Sequence, residues 1–368
     1  MAGRIVLFGA TGYTGRLTAE ALVARGQRPL LAGRSGDRLA ALAAELGGGL
    51  DTAVADVAQP QSVFELVDGG DVMLTTVGPF ARWGDVAADA ALAAGAHYLD
   101  STGEPPFIRR VFEHFGPRAR QAGIGMVTAF GYDWVPGNLA AGLALRDAGE
   151  EAVRVDVGYF VTGEAGMGSF SGGTKASVAG VMAAPAFAYR DGALRTVRTA
   201  DRLRNFTLRG RELPAVTVGS SEHFGLPQAA PALRDVNVYL GWFGPFSRPL
   251  QAFSLLGAGA MKVPGASGLT ARLAERLVKG STGGPGPEQR ARAGSHIVAE
   301  AYDRHGEQLS TVQLGGVEPY TFTAGILAWG ARRAAEAGML ESGALGPLAA
   351  FGLDELEAGC REAGLTRV

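Results

Sequence analysis

Cysteine is almost absent from this chain of 368 residues: Cys360 is its one thiol, and histidine occurs five times. A single cysteine excludes a disulfide framework and a thiolate metal site within one chain, so no metal site is expected. One thiol also suits a reducing cytoplasm, which is the expected location. The first strand-like run begins near residue 4, and we therefore expect no signal peptide.

An excess of charge and long apolar runs are also lacking. The 34 Lys and Arg residues nearly balance the 36 Asp and Glu residues, and the net charge of −2 offers no basis for binding nucleic acid. The most apolar later stretch, residues 250–261, is too short to span a bilayer. With 47% hydrophobic residues the chain can bury a sizeable core, and its length favours two domains.

A glycine-rich turn between a strand and a helix lies near the start of the chain. Residues 5–8 form an apolar run of strand length, residues 9–15 read GATGYTG, and a helical pattern follows before a second apolar strand at 30–32. Glycines let the backbone approach a pyrophosphate, and the helix start offers N–H donors. This βαβ context predicts a dinucleotide site with contacts from Gly9, Thr11, Gly12, Tyr13, Thr14 and Gly15.

The end of the second strand lacks the acidic residue that NAD-binding versions use to bind the ribose hydroxyls. Arg34 and Ser35 stand there instead. A guanidinium group can pair with a 2′-phosphate, and the serine hydroxyl can donate to it. The sequence therefore predicts NADP(H) as the cofactor. The alternative is a surface arginine beside an unrelated helix cap.

Strand-like and helix-like segments alternate as far as residue 130. This alternation predicts an α/β fold, a doubly wound parallel Rossmann sheet, with ligands at the carboxyl ends of its strands. After residue 150 the pattern changes to short alternating strands, which indicate a second, mostly antiparallel α+β domain. We expect an NADP-binding domain at 1–130, with 335–368 packing back on it, and a substrate and dimerisation domain at 131–334.

Unusual residues follow the predicted third and fourth strands. Asp56 faces the adenine amino group in one interpretation and caps the helix before Pro60 in the other. Thr76, Gly78, Pro79 and Phe80 end the fourth strand, where the nicotinamide half of the cofactor is expected. The alternative there is a strand-to-helix turn with a packed phenylalanine.

Candidate catalytic groups follow the sixth strand and open a helix in the second domain. Tyr132 and Asp133 are candidate proton donors, and the alternative is a packed aromatic beside a helix cap. Lys175, within SGGTKAS at 171–177, is placed to hold a carbonyl, carboxylate or phosphate at a helix start, or is a solvated lysine beside a capped helix. His223 is a further candidate acid, although a lone histidine in a β-rich segment is more often structural.

Together these motifs resemble the saccharopine dehydrogenase-like NADP-binding oxidoreductases, particularly the bacterial branch of trans-acting enoyl reductases. The resemblance rests on seven segments in the expected order: GATGYTG at 9–15, AGRS at 32–35, GPF at 78–80, YLDSTGE at 98–104, GYDWVP at 131–136, SGGT at 171–174 and EPY at 318–320. It implies that the first glycines, Arg34, Ser35 and the turn at 78–80 bind NADP(H). Members of the family reduce C=N bonds, as in saccharopine formation, or C=C bonds of acyl chains.

The aromatic and apolar run at 239–246 fits a largely apolar substrate, although it also suits a core. We therefore predict NADPH-dependent reduction of a C=C bond conjugated to a carbonyl in an acyl or polyketide-type small molecule. Reduction of an imine and a non-catalytic NADP(H)-sensing protein are the alternatives. Linkage of the substrate to a carrier or to CoA, and a homodimer, stay open.

Overall fold

The computed structural model describes residues 3–163, 186–242, 244–249, 251 and 283–368, and Lys175 with its segment 171–177 lies outside them. The described residues divide into two compact units. The first contains residues of Met1–Gly103, Phe107–Val135 and Pro319–Gly364, and the second contains residues of Glu104–Pro106, Pro136–Glu318 and Leu365–Val368.

The first unit begins with six strands that alternate with helices. These elements are β1 (Ile5–Phe8), α1 (Tyr13–Ala24), β2 (Leu30–Gly33), α2 (Gly36–Glu45), β3 (Thr52–Val54), α3 (Pro60–Phe64), β4 (Val72–Thr75), α4 (Phe80–Ala94), β5 (His97–Asp100), α5 (Pro105–Arg110), a π-helical turn (Val111–Phe115), α6 (Gly116–Ala122) and β6 (Gly125–Val127). All residues of β1, β2 and β4 are buried, as expected of strands covered on both faces.

The second unit consists of a large sheet with a few helices. Its elements are α7 (Val135–Ala148), β7 (Arg154–Gly163), β8 (Ala186–Arg190), β9 (Ala193–Val197), β10 (Leu203–Leu208), β11 (Arg211–Thr217), α8 (Glu222–Ala229), β12 (Asp235–Leu240), a 3₁₀ turn (Gly244–Phe246), α9 (Pro287–Ala291), β13 (Ala293–Tyr302) and β14 (Gln308–Val317). Among the described strands of this second sheet, β7 and β12 pair in parallel, and the other pairs are antiparallel. The hairpin of β13 and β14 turns at Asp303, whose carboxylate accepts the amides of His305 and Glu307 at 2.8 Å.

The last part of the chain is α10 (Pro319–Ala337), β15 (Gly343–Ala344), α11 (Pro347–Phe351), α12 (Leu353–Glu362) and β16 (Leu365–Arg367). Helix α10 lies in the first unit, although the sequence-based boundary placed residues up to 334 in the second domain. The reason is local packing: the amide of Gly3 donates to the carbonyl of Ala335 at 2.9 Å, and the rings of Tyr13 and Tyr320 meet edge to face at 5.1 Å.

The first sheet has the strand order β15-β6-β5-β4-β1-β2-β3, and every neighbouring pair is parallel. Its register aligns the carboxyl ends, since Phe8 lies opposite Thr75, and Thr75 lies opposite Asp100. The predicted fold class is confirmed: a parallel Rossmann sheet and a second, mostly antiparallel sheet. Within the described ranges no helix combines the length and the hydropathy that a membrane crossing requires.

Candidate functional site

The three glycines of the turn between β1 and α1 are required for different reasons. Gly9 has a φ of +93°, and a Cβ on Gly15 would lie 2.1 Å from the carbonyl oxygen of Gly9. These two glycines are therefore needed by the turn itself. At Gly12 the φ is −75°, and the nearest atom to an added Cβ would be the Gly9 oxygen at 3.3 Å. The turn tolerates a side chain at Gly12 far better than at Gly9 or Gly15. The lack of a side chain at Gly12 therefore leaves room for a ligand.

Gly15→Ala and Gly12→Ala separate these two reasons. Gly15→Ala should lower the free energy of unfolding by about 1–3 kcal/mol, because the methyl group overlaps a backbone carbonyl that cannot move alone. Gly12→Ala should cost less, about 1 kcal/mol, because its backbone angles suit alanine and the remaining cost is that alanine is a poorer N-cap than glycine. Urea unfolding of the two variants measures this difference. Equal losses would contradict the division of roles.

The amino end of α1 is open to an anion. The first hydrogen bond inside the helix is donated by Arg16 to the carbonyl of Gly12 at 2.8 Å, so the amides of Thr14 and Gly15 precede the helical ladder. The first turn contains no acidic residue, and Gly12 cannot provide a side-chain cap. The positive end of the helix dipole is therefore not neutralised locally, which suits a phosphate group.

Arg34 and Ser35 lie where β2 ends and α2 begins. Ser35 is the N-cap of α2, and its hydroxyl accepts the Arg38 amide at 3.5 Å. Arg34 is exposed and forms no hydrogen bond or ion pair in the part of the chain that the structure describes. The guanidinium group of Arg38 donates to the carbonyl of Thr11 at 2.8 Å and so joins α2 to the glycine turn. Sequence reasoning missed Arg38. The sequence gives one indication of it, namely a basic residue in the first turn of the helix after the second strand.

The turn after β4 contains both exposed and packed residues. The hydroxyl of Thr76 lies 3.3 Å from the carbonyl of Gly9, which places Thr76 beside the glycine turn. Gly78 is exposed and the Gly78–Pro79 peptide is cis. Phe80 is the first residue of α4 and is buried against Phe107, with ring centroids 5.7 Å apart. Thr76 thus lies beside the glycine turn and Gly78 is exposed, and contact of Thr76, Gly78 and Pro79 with the cofactor stays a prediction. The ring of Phe80 belongs to the core.

Asp56 follows β3 and stabilises a turn. Its carboxylate accepts the amide of Ala58 at 2.9 Å, and its carbonyl accepts the amide of Gln59 at 2.8 Å. The N-cap of α3 is Gln59, so Asp56 itself does not cap that helix. Contact with adenine stays a prediction for this residue.

Asp133 has a carboxyl group in a dry environment after β6. Its Oδ1 atom is buried and has no hydrogen-bond partner among the residues that the structure describes, and a Cβ on Gly103 would lie 2.8 Å from its Oδ2 atom. Burial raises the pKa of Asp133 to about 7. Such a group is both protonated and able to lose its proton near neutral pH, which is what a proton donor requires. Neighbouring Tyr132 is buried, and its ring packs edge to face against Phe322.

Asp100 is a second buried acid at the strand ends, and sequence reasoning did not select it. It is fully buried at the end of β5, and burial raises its pKa to about 6. Its Oδ1 atom accepts the amides of Thr102 at 2.9 Å and Ala129 at 2.8 Å. Both hydrogen bonds favour the charged form and oppose the effect of burial.

The remaining candidates lie in the second unit or outside the described residues. Lys175 belongs to the latter group. His223 is buried, with Nδ1 3.0 Å from the hydroxyl of Ser220, and burial lowers its pKa to about 4. It is therefore neutral at pH 7, which fits the structural alternative. Tyr239 is buried with Phe206 in an aromatic cluster, so this part of the run at 239–246 is core.

The first part of the chain is similar to a known family of domains. Residues 5–127 match the family model described as the saccharopine dehydrogenase NADP binding domain. A Mycobacterium tuberculosis protein provisionally named a trans-acting enoyl reductase is 37% identical over 183 residues, which cover 48% of this chain and 44% of that protein. The trans-acting enoyl reductase of Mycobacterium ulcerans is 39% identical over 152 residues, which cover 40% of this chain and 36% of that protein. Each match thus spans less than half of the relative's length.

Two solved structures share the fold. Saccharopine dehydrogenase (L-Glu forming) from Saccharomyces cerevisiae aligns over 100% of this chain and 99% of its own, with a TM-score of 0.58 and 13% identity. Homospermidine synthase from Legionella pneumophila, solved in complex with NAD, aligns over 100% of this chain and 92% of its own, with a TM-score of 0.61 and 9% identity. At these identities the likeness concerns the fold alone. The resemblance expected from the motifs is confirmed, and so is NADP(H) as the cofactor.

Proposed function

We propose, from the premise that residues 5–127 are a saccharopine dehydrogenase NADP-binding domain, that this chain is an NADPH-dependent reductase. One observation carries the proposal: the amino end of α1 is open beside Gly12, while the guanidinium group of Arg34 is exposed and unpaired within the described residues. A non-catalytic sensor would need the same binding groups. The dry, partly protonated carboxyl group of Asp133 favours an enzyme.

The residues present fit NADPH. The amides of Thr14 and Gly15 would hold the pyrophosphate, and the bare backbone at Gly12 allows its approach. Arg34 and the hydroxyl of Ser35 would hold the 2′-phosphate, with Arg38 keeping α2 against the turn. Bound NADPH supplies a hydride to an electrophilic carbon. All other groups needed for the reaction must come from the protein or the solvent.

Reduction of a double bond consumes one proton as well as one hydride. If the bond is C=C conjugated to a carbonyl, the hydride adds to the β-carbon and the proton to the α-carbon. Asp133 can deliver that proton, because its raised pKa keeps a substantial fraction protonated at neutral pH. It lies on the loop after β6, at the carboxyl ends of the parallel strands, where ligands bind in this fold. Tyr132 is the competing donor.

We infer an enoyl substrate from the relatives, which are named trans-acting enoyl reductases. The substrate proposed is a largely apolar acyl or polyketide-type molecule, and its carrier or CoA linkage stays a prediction. Lys175 as the group that holds the carbonyl, substrate binding by the second unit, and a homodimer also stay predictions.

Deuterium transfer tests the reaction class. The protein is incubated with NADPH deuterated at the transferred position and with an α,β-unsaturated acyl-CoA as probe, and the product is analysed by mass spectrometry. We expect deuterium on the carbon β to the carbonyl. In a parallel incubation with cell metabolites, deuterium on a carbon bonded to nitrogen would instead establish imine reduction. Tight NADPH binding without transfer to either class would favour the sensor.

Replacing Arg34 with alanine should abolish most of the preference for NADPH over NADH. A charge-assisted hydrogen bond contributes about 1.5–3 kcal/mol, which corresponds to about ten- to a hundredfold in affinity. Affinity for NADH, which has no 2′-phosphate, should stay within about threefold. Titration of the nicotinamide fluorescence measures both constants. The matched control is Arg118→Ala, which removes an arginine paired with Asp89 at 2.8 Å in the same unit. An unchanged ratio in Arg34→Ala would overturn the assignment.

A further inference from the structure

Asp100 joins the ends of two neighbouring strands. Its Oδ1 atom accepts the amide of Thr102, two residues along its own chain, and the amide of Ala129, after β6. Its backbone carbonyl accepts the amide of Phe130 at 2.7 Å. One residue of β5 thus holds two successive residues after β6, Ala129 and Phe130, by side chain and main chain together.

The loop that Asp100 holds begins with an unfavourable backbone conformation. Ala129 has a φ of +60°, in the left-handed region that residues with a Cβ adopt at an energetic cost. Its amide is bound by Asp100, and its carbonyl accepts the amide of Trp134 at 2.9 Å. The loop 129–134 is therefore closed on Ala129, and Asp133 lies inside it.

Asp100 also fixes the segment that packs against the Asp133 carboxyl group. Gly103 is the residue against which the Asp133 carboxyl group lies, since a Cβ there would be 2.8 Å from Oδ2. Gly103 directly follows Thr102, whose amide is bound by the same Oδ1 atom that binds Ala129. A single carboxylate oxygen thus fixes both the segment that carries Asp133 and the segment that packs against it.

This arrangement costs stability. The Oδ2 atom of Asp100 is buried and faces the hydroxyls of Tyr98 and Thr128, but it forms no well-aligned hydrogen bond with the described residues. A buried carboxylate whose second oxygen lacks a well-aligned hydrogen bond is costly, and a neutral side chain would close a turn at a lower cost. Costs of this kind are concentrated where a site must be held in one geometry.

We propose that Asp100 is a positioning residue that holds the loop 129–134, and with it the carboxyl group of Asp133, in the orientation that the reduction uses. This role rests on the proposed function, in which Asp133 delivers the proton. Asp100 itself need not contact substrate or cofactor. Its effect is transmitted through the amides of Thr102 and Ala129.

Three variants test the role. Asp100→Ala removes both hydrogen bonds, and we expect the amides of Ala129 and Thr102 to exchange with solvent at least tenfold faster. The kcat for the α,β-unsaturated acyl-CoA probe should fall about ten- to a hundredfold, while KM and the Kd for NADPH change less than threefold. Asp100→Asn keeps an oxygen acceptor and should retain most of the kcat. Asp100→Ala with Ala129→Gly should regain at least a third of it, since glycine adopts a positive φ without a side-chain cost.

The outcomes distinguish this role from the proposed function. Unchanged exchange and unchanged kcat in Asp100→Ala would overturn the role of Asp100 and leave NADPH binding at Gly12 and Arg34 intact. If Asp133→Asn is fully active, the proton assignment fails, and with it the catalytic part of the role, whatever the exchange rates. If Asp100→Ala does not fold, Gly103→Ala replaces it, because its Cβ displaces the Asp133 carboxyl group without touching Asp100. A normal kcat in Gly103→Ala would contradict the need for positioning.

Discussion

Gly12→Asp should abolish NADPH binding and leave the protein at least as stable as before. Gly12 is the N-cap of α1, where aspartate is among the preferred residues, and a negative charge at that helix end is favourable by about 0.3–1 kcal/mol. The same charge would occupy the approach of the pyrophosphate and repel it. We expect affinity to fall more than a hundredfold by fluorescence titration, with an equal or raised urea midpoint.

Gly12→Asn is the matched control for this prediction. Asparagine has the same shape and is an equally good N-cap, but it has no charge. A smaller loss of affinity in Gly12→Asn than in Gly12→Asp would measure the electrostatic part of the effect. NADPH affinity within threefold of the unmodified protein in Gly12→Asp would mean that the glycine turn has only a structural role.

Replacing Asp133 with asparagine should lower kcat by about 10²–10⁴-fold, which is the usual contribution of a positioned acid. NADPH binding should be unaffected, because the groups expected to hold the pyrophosphate and the 2′-phosphate follow β1 and β2. Stopped-flow consumption of NADPH with the acyl-CoA probe measures the chemical step. Tyr132→Phe is the matched comparison: if that variant loses turnover and Asp133→Asn does not, Tyr132 is the donor.

The stability of the unmodified protein depends on pH through Asp133, and the direction of this dependence follows from the raised pKa of that group. Burial raises the pKa of Asp133 from 3.8 to about 7. Between pH 3.8 and about 7, the folded protein therefore holds a proton that the unfolded chain has lost. Stability therefore falls as pH rises from about 4 to about 7, and the penalty is complete above 7. Asp133→Asn lacks this penalty and should be more stable at pH 8 by roughly 4 kcal/mol, because each unit of pKa corresponds to about 1.4 kcal/mol. In the unmodified protein kcat should also fall as pH rises through about 7.

The parallel sheet could be predicted because its central strands β1, β2 and β4 are buried on both faces. A run such as residues 72–74 is apolar throughout, and it is followed by a turn and a helix. Strand β15 could not be predicted, because its two residues, Gly343 and Ala344, join the sheet through backbone hydrogen bonds beside β6. A strand of two residues is too short to show the alternation of apolar and polar residues by which strands are predicted.

Within the candidate site the local motifs could be identified and the long-range contacts could not. Gly12 and Arg34 belong to one short segment whose spacing indicates its use. Asp100 and Ala129 are 29 residues apart, and nothing in the intervening sequence shows that one binds the other. The raised pKa of Asp133 likewise depends on what buries it. Sequence reasoning selected Asp133 for its place after a strand.

The contribution of residues 319–364 to the first unit affects the order in which the polypeptide can fold as it is made. Helix α10 packs near α1, and the side chain of Arg25 pairs with Glu362 at 2.6 Å. During synthesis, residues 5–127 emerge from the ribosome long before residues 319–364 are made. Residues 136–318 are completed in between. The nucleotide-binding unit would therefore complete its folding late in synthesis. Until then the apolar surface of α1 would stay exposed and could bind chaperones. A fragment ending at residue 135 should for the same reason be recovered mainly as aggregate.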